Sequence, residues 1–167
     1  MDTAAELKKL ILRQPRWSLA AAESLTGGHL QAQITSVAGA SEYFLGGLTT
    51  YTLVQKVKHL GVSRAHAARV DCVSQRVAVE MALGACEFFG ADLGVATTGY
   101  AQPNKARGVK VPFAWWAICQ RQRGGQAAVW SGRVEVPDAE RTEVQARVAA
   151  TVLRELVAYL RAARSGA

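Results

Sequence analysis

The stretch Ala20-Ala-Ala-Glu-Ser-Leu-Thr-Gly-Gly28 decides how the chain reads. Residues 17–22 form a short apolar run of the kind found in a buried strand. Residues 29–37 place Leu30, Ile34 and Val37 at helical spacing. Glu23, Ser24 and Thr26 therefore fall on a strand-to-helix turn, with Gly27 and Gly28 opening the helix. Such a turn offers unpaired backbone N–H groups and the positive end of a helix dipole. Glycines let a negatively charged group approach that backbone closely. A serine in this place serves either as a plain helix cap or as a nucleophile beside its own oxyanion site. The stretch lacks the Gly-Lys-Ser/Thr end of a phosphate loop. Ala22 and Thr26 stand where a Gly-x-Ser-x-Gly elbow has its glycines.

Working outward, 167 residues suggest a single domain spanning 1–167, long enough to fold without a disulfide or metal staple. No apolar run reaches membrane-spanning length, and the first residues carry no secretory pattern, so the expectation is a cytoplasmic protein that does not engage a membrane. Cys72, Cys86 and Cys119 are far apart and odd in number, which argues against a disulfide framework or a zinc site. His29, His59 and His66 show no metal spacing; no metal and no cofactor is expected. The net charge of +7 would suit nucleic acid, but the cations are scattered along the chain from Lys8 to Arg123 rather than packed in one tract. Scattered charge is read as solubility, or as a mild field for anionic small molecules, and nucleic-acid binding is not expected.

Along the chain, residues 2–14 read as an amphipathic helix and 46–53 as a second strand rich in β-branched and aromatic residues. A short helix carries Lys56, Lys58 and His59 to Gly61, and another runs from Ser63 to Val70. Ser74 caps a long helix over 75–89 that Gly90 stops. Residues 92–99 form a third strand, ending in Thr97-Thr98-Gly99. A loop follows over 100–111, then an apolar strand over 113–120, a Gly124-Gly125 break and an antiparallel strand over 126–136. Asp138 is expected to cap a last helix with Val144, Val148, Val152, Leu156 and Leu160 on one face. Alternating strands and helices closed by a hairpin and a helix give an α/β fold, a three-layer α/β/α sandwich with a mixed sheet. Trp115, Trp116 and Trp130 supply either core or a contact in a homo-oligomer.

Three turns collect polar residues at strand ends: Ser24 with Thr26, Tyr51 with Lys56, and Thr97-Thr98-Gly99. Ligand sites of open α/β sheets gather there. At this point the chain resembles a known family. Ala22-Glu-Ser-Leu-Thr-Gly-Gly28 is similar to the Ala-Glu-Ser-Cys-Thr-Gly-Gly signature of the CinA C-terminal family. Phe44-Leu-Gly-Gly-Leu-Thr-Thr-Tyr51, then Lys56, then Leu60-Gly-Val62 resembles its next block; Val73-Ser74 and Gly90-Ala-Asp-Leu-Gly-Val-Ala-Thr-Thr-Gly99 resemble the third and fourth. The resemblance covers nearly the whole chain, and the N-terminal domain of longer family members is not expected in it.

The resemblance implies a nicotinamide-nucleotide amidohydrolase (NMN deamidase), which hydrolyses nicotinamide mononucleotide to nicotinic acid mononucleotide and ammonia and so recycles pyridine nucleotides. It implies Ser24 as nucleophile, Lys56 as its base and Tyr51 as a supporting catalytic residue. It further implies Thr26, Gly27, Gly28, Thr98, Gly99 and Arg141 around a small-molecule nucleotide substrate, with the two glycines as backbone donors. Taken singly these residues read as caps, core aromatics and solvated lysines; taken together they read as a site. The departures lie in Tyr51-Thr52-Leu53, where the family has Tyr-Ser-Asn, and in the stretch Gly99 to Pro112, which lacks the family's triple glycine. Gln145 also stands where a second arginine would follow Arg141. They motivate an alternative, a catalytically degenerate member that binds a nucleotide or a protein partner without turnover.

Overall fold

The computed structural model describes residues 2–122 and 124–165. Its sheet has five strands: β1 (Leu19–Glu23), β2 (Phe44–Thr49), β3 (Leu93–Tyr100), β4 (Phe113–Arg121) and β5 (Ala127–Glu135), in the order β2-β1-β3-β4-β5. β2, β1 and β3 run parallel, while β4 pairs antiparallel with β3 and β5 antiparallel with β4, so the sheet is mixed as expected. The helices are α1 (Thr3–Ile11), α2 (His29–Ile34), α3 (Leu53–Leu60), α4 (Arg64–Arg69), α5 (Gln75–Phe89) and α6 (Arg141–Ser165).

Strand alternation divides the core between two faces. Leu19 and Ala21 of β1 pack with Leu7, Leu10 and Ile11 of α1, Leu30 and Ile34 of α2, and the Val144–Val148–Val152–Leu156–Leu160 stripe of α6. Ala20 and Ala22 face α5 through Val77, Ala78, Met81, Ala82 and Ala85, with Leu60 and Ala67 of α3 and α4 beside them. Helices on both faces of the sheet make the three layers. Side chains on the α5 face are small, so that helix lies close to the sheet. α3 lies equally close to α5: a Cβ on Gly84 would stand 2.2 Å from the Leu60 carbonyl oxygen.

Sequence and structure differ at several element ends, each for a local reason. The expected strand over 46–53 stops at Thr49, and Leu53 instead opens α3, because the Thr52 hydroxyl accepts the Gln55 N–H as an N-cap. α2 ends at Ile34 rather than at residue 37, where the Thr35 and Ser36 hydroxyls turn back onto the Gln31 and Gln33 carbonyls. Asp138 does not cap α6. Its backbone is left-handed (φ 53°), and the helix starts three residues later, with the Val144 N–H on the Glu140 carbonyl. The long helix keeps both expected ends, Ser74 capping it and left-handed Gly90 (φ 68°) closing it. Among the tryptophans Trp116 is buried and Trp130 is 48% exposed on the edge strand. Among the described residues no helix is long and apolar enough to cross a membrane.

Candidate active site

In strand order 2-1-3-4-5 the chain passes from β1 to β2 on one side and then crosses to β3 on the other side of β1, and a crevice opens at the carboxyl ends of β1 and β3. Ser24 follows the last residue of β1, Thr50 and Tyr51 follow β2, and Thr98 and Gly99 lie near the end of β3. Three of the chain's turns thus converge on one place. Lys56 reaches it from the first turns of α3, its side chain wholly covered (1% exposed), whereas Lys58 two residues on is exposed.

The Lys56 Nζ lies 2.9 Å from the Ser24 Oγ, 2.7 Å from the Thr50 carbonyl oxygen and 3.2 Å from that of Tyr51. Burial pulls the Lys56 pKa below the ordinary lysine value, against a smaller opposing effect of the Cys72 thiol. Three acceptors around the Nζ match the three N–H bonds of an ammonium. An uncharged amine has two N–H bonds and one lone pair. In that form the two carbonyls keep the N–H bonds, and the lone pair would face the serine hydroxyl.

The turn around Ser24 is held by Glu23, whose side chain is fully buried. Its carboxylate accepts the N–H groups of Gly28 (3.0 Å), Leu30 (3.1 Å) and Gln31 (2.9 Å), filling the N-terminus of α2. This corrects the expected role of the two glycines. The Gly28 N–H is spent on Glu23, and the Gly27 N–H closes the turn onto the Ser24 carbonyl at 3.1 Å. Both glycines are needed for backbone shape, with φ of 57° and 103°. Among the described residues the N–H groups of Leu25 and Thr26, inside that turn, are given to no acceptor. Thr26 is likewise displaced from its expected place: its hydroxyl is buried against that of Thr97 at 2.7 Å, tying β1 to β3 beneath the site rather than facing a ligand.

Ser24, Lys56, Thr98 and Gly99 line one cavity of about 320 Å³. Leu53, where the family resemblance would put an amide, lies in its wall without closing it. The Thr98 hydroxyl donates to the Cys72 carbonyl (2.7 Å), so it fixes the neighbouring turn. Tyr51 contributes mainly through its backbone carbonyl. Its ring is 51% exposed and its hydroxyl meets the Arg141 guanidinium, which also donates to Gln102 Oε1 at 3.2 Å. Arg141 therefore stands in a second cavity of about 430 Å³ that shares Leu25, Tyr51, Gly99 and Tyr100 with the first. Gln145 donates to the Leu25 carbonyl at 2.8 Å and braces the serine turn from α6.

Two residues of this site left little trace in the sequence. Asp71 and Cys72 form a turn with two consecutive left-handed residues (φ 53° and 62°) in the cavity wall. A non-glycine residue with positive φ has no sequence signature, although the Asp and its position before Val73-Ser74 are compatible with a turn.

Residues 1–160 match the CinA C-terminal domain family. A CinA-like protein of Chlorobium limicola is 36% identical over 159 residues, 95% of this chain and 37% of that protein. One of Picosynechococcus is 45% identical over 109 residues, 63% of this chain and 26% of that protein. The chain thus spans between a quarter and two fifths of the length of these relatives. Among solved structures, the competence damage-inducible protein A of Klebsiella pneumoniae superposes with a TM-score of 0.81 at 28% identity, covering 95% of each chain. A CinA superfamily protein of Escherichia coli does so with a TM-score of 0.78 at 30% identity, covering 93% of this chain and 86% of that one. With the family's match taking in Ser24, Lys56 and Thr98, the chain belongs to the CinA C-terminal domain family.

Proposed function

We propose that the protein is an amidohydrolase that cleaves the carboxamide of nicotinamide mononucleotide, or of a related pyridine nucleotide, through Ser24 and Lys56. The observation that carries this reading is the buried Nζ–Oγ contact of 2.9 Å, with both other Nζ partners carbonyl oxygens.

In the first step the Ser24 Oγ attacks the carboxamide carbon while Lys56 takes the hydroxyl proton. The carbonyl π electrons move to oxygen, and the unpaired N–H groups of Leu25 and Thr26, which follow Ser24 in the chain, are the donors available to that oxyanion. One such donor is typically worth about 3 kcal/mol in the transition state. Collapse of the intermediate breaks the C–N bond, and Lys56 returns its proton to the departing nitrogen as ammonia is released. An acyl ester on Ser24 remains. Water then attacks the ester with Lys56 again as base, freeing the carboxylic acid and restoring the serine. Arg141, in the adjoining cavity, is suited to the anionic part of a nucleotide.

The test is ammonia release across a panel of pyridine nucleotides with hydroxylamine present. An acyl ester predicts a hydroxamate product in proportion to hydroxylamine, with ammonia release unslowed. Ammonia without hydroxamate would remove the covalent step, and no turnover of any member would favour the non-catalytic reading.

A further inference from the structure

The mechanism above uses one cavity, and the adjoining one has a charge of its own. Lys105 and Arg141 both line it, and no acidic residue does. Among the described residues neither cation has a carboxylate within ion-pair distance. The Arg141 guanidinium is held only by neutral acceptors, Gln102 Oε1 and the Tyr51 hydroxyl, which an anion can displace. Arg141 is also the first residue of the 25-residue α6, and the acid of that first turn, Glu143, is paired with Arg147 rather than with Arg141. Two cations brought together without a counter-charge raise each other's energy, and a bound dianion reverses that cost.

Lys105 is placed there by a bracket. The 3-10 turn Lys105–Arg107 is capped by the Asn104 side chain and closed by paired Asn104 and Val109 backbone bonds of 2.9 Å. Asp71 then grips both ends of the segment 100–107. Its Oδ2 accepts the Tyr100 hydroxyl (2.9 Å) and its Oδ1 accepts from Arg107 Nη2 (3.2 Å). Burial and the Asp71 carboxylate push the Tyr100 phenol up to about 12, so it remains a donor at neutral pH. Arg107 is thereby neutralised, which leaves Lys105 as the cation of this turn facing the cavity.

We propose that Lys105 and Arg141 bind a phosphate monoester of the substrate in the second cavity, and that Asp71 is the positioning residue that sets Lys105 against it. Two cations match the dianion's charge, and the guanidinium fork matches its oxygens. The acyl group and the phosphate then occupy adjoining cavities, with Tyr51 and Tyr100 between them. The proposal rests on the Ser24–Lys56 reading for the direction of the substrate, but it is tested apart from turnover.

The experiment is calorimetric binding of the product pair, nicotinic acid mononucleotide and its dephosphorylated riboside, to the wild-type protein and to variants. The mononucleotide is expected to bind at least about tenfold more tightly than the riboside, with the ratio falling as salt rises. Lys105→Ala should cut that ratio several-fold, and in turnover should raise KM while leaving kcat within about twofold, as loss of uniform binding does. Asp71→Asn should cut the ratio in the same way with little change in Tm, since an exposed ion pair adds little stability, and Asp71→Glu should restore part of it. Equal binding of the two ligands, or a ratio untouched by Lys105→Ala, would overturn the subsite. A ratio reduced by Lys105→Ala but not by Asp71→Asn would overturn the positioning role. Preserved phosphate preference without turnover would instead sink the hydrolytic reading and leave the subsite standing.

Discussion

In the proposed reaction the chemistry turns on Lys56, whose surroundings decide its protonation. Its side chain is removed from water, and its partners are two carbonyls and a hydroxyl, with no carboxylate. Burial lowers its pKa in the folded protein. Between that lowered value and the ordinary lysine value of ~10.4 the unfolded chain binds a proton that the folded chain does not. Stability therefore rises with pH across that window and levels off above it; below the folded pKa the cost of the buried charge is present in full. Thermal melts from pH 7 to 10 should show this rise in the wild type and its absence in Lys56→Met, and parallel curves for the two would contradict it. The kcat/KM for amide hydrolysis should climb with pH through the same lowered pKa, and Lys58→Ala should leave that profile unmoved. The sequence alone could not choose between the two lysines, since each sits on a short helix with polar neighbours. The family resemblance chose Lys56, and burial is the physical difference that separates them. Glu23 was visible as an acid on a turn, but its task was not legible: a buried carboxylate satisfying three N–H groups needs the helix beyond it already in place.

At the scale of elements, α2 and α3 carry the site and neither would be stable alone. α2 has six residues, below the length at which a helix persists in water, and Glu23 substitutes for length by filling its N-terminus. Glu23→Gln keeps the shape but loses the charge, and should cost about 2 kcal/mol. A fall in Tm larger than that of a surface Glu→Gln control would bear this out. α3 is set by Gly84, whose missing side chain admits the Leu60 backbone. Gly84→Ala gains helix propensity but forces the two helices apart, with a net cost of about 1–3 kcal/mol. Lys56 lies one turn before Leu60, so kcat should fall with Tm; a variant more stable than wild type would show that the contact yields. Strong local signals made α5 readable at both ends, through Ser74 and Gly90. The end of β2 was not readable, because Thr49-Thr-Tyr-Thr-Leu53 continues the β-branched pattern and only the Thr52 cap stops it. The start of α6 was missed for a related reason: Asp138 is a favoured cap type placed in a left-handed turn instead.

Across the whole molecule, strand order does what no motif does by itself. The alternation of strands and helices, with a hairpin near the end, implied a mixed sheet with helices on both faces. It did not say that β1 lies between β2 and β3. That order brings residues 24, 50, 56 and 98 within one crevice although they are spread over more than seventy positions. Two buried faces secure it, a bulky one under α1, α2 and α6 and an alanine-rich one under α5. The second cavity follows from the same order, since the loop after β3 and the start of α6 meet beside the ends of β1 and β2. The central claim is that the Ser24 hydroxyl, activated by Lys56, attacks a nucleotide carboxamide. Ammonia release from nicotinamide mononucleotide at pH 8 by the wild type, Ser24→Ala and Lys56→Met tests it most directly. Both variants should fold, and each should lose at least about 10⁴-fold in kcat; a Ser24→Ala protein that releases ammonia at the wild-type rate would contradict the account.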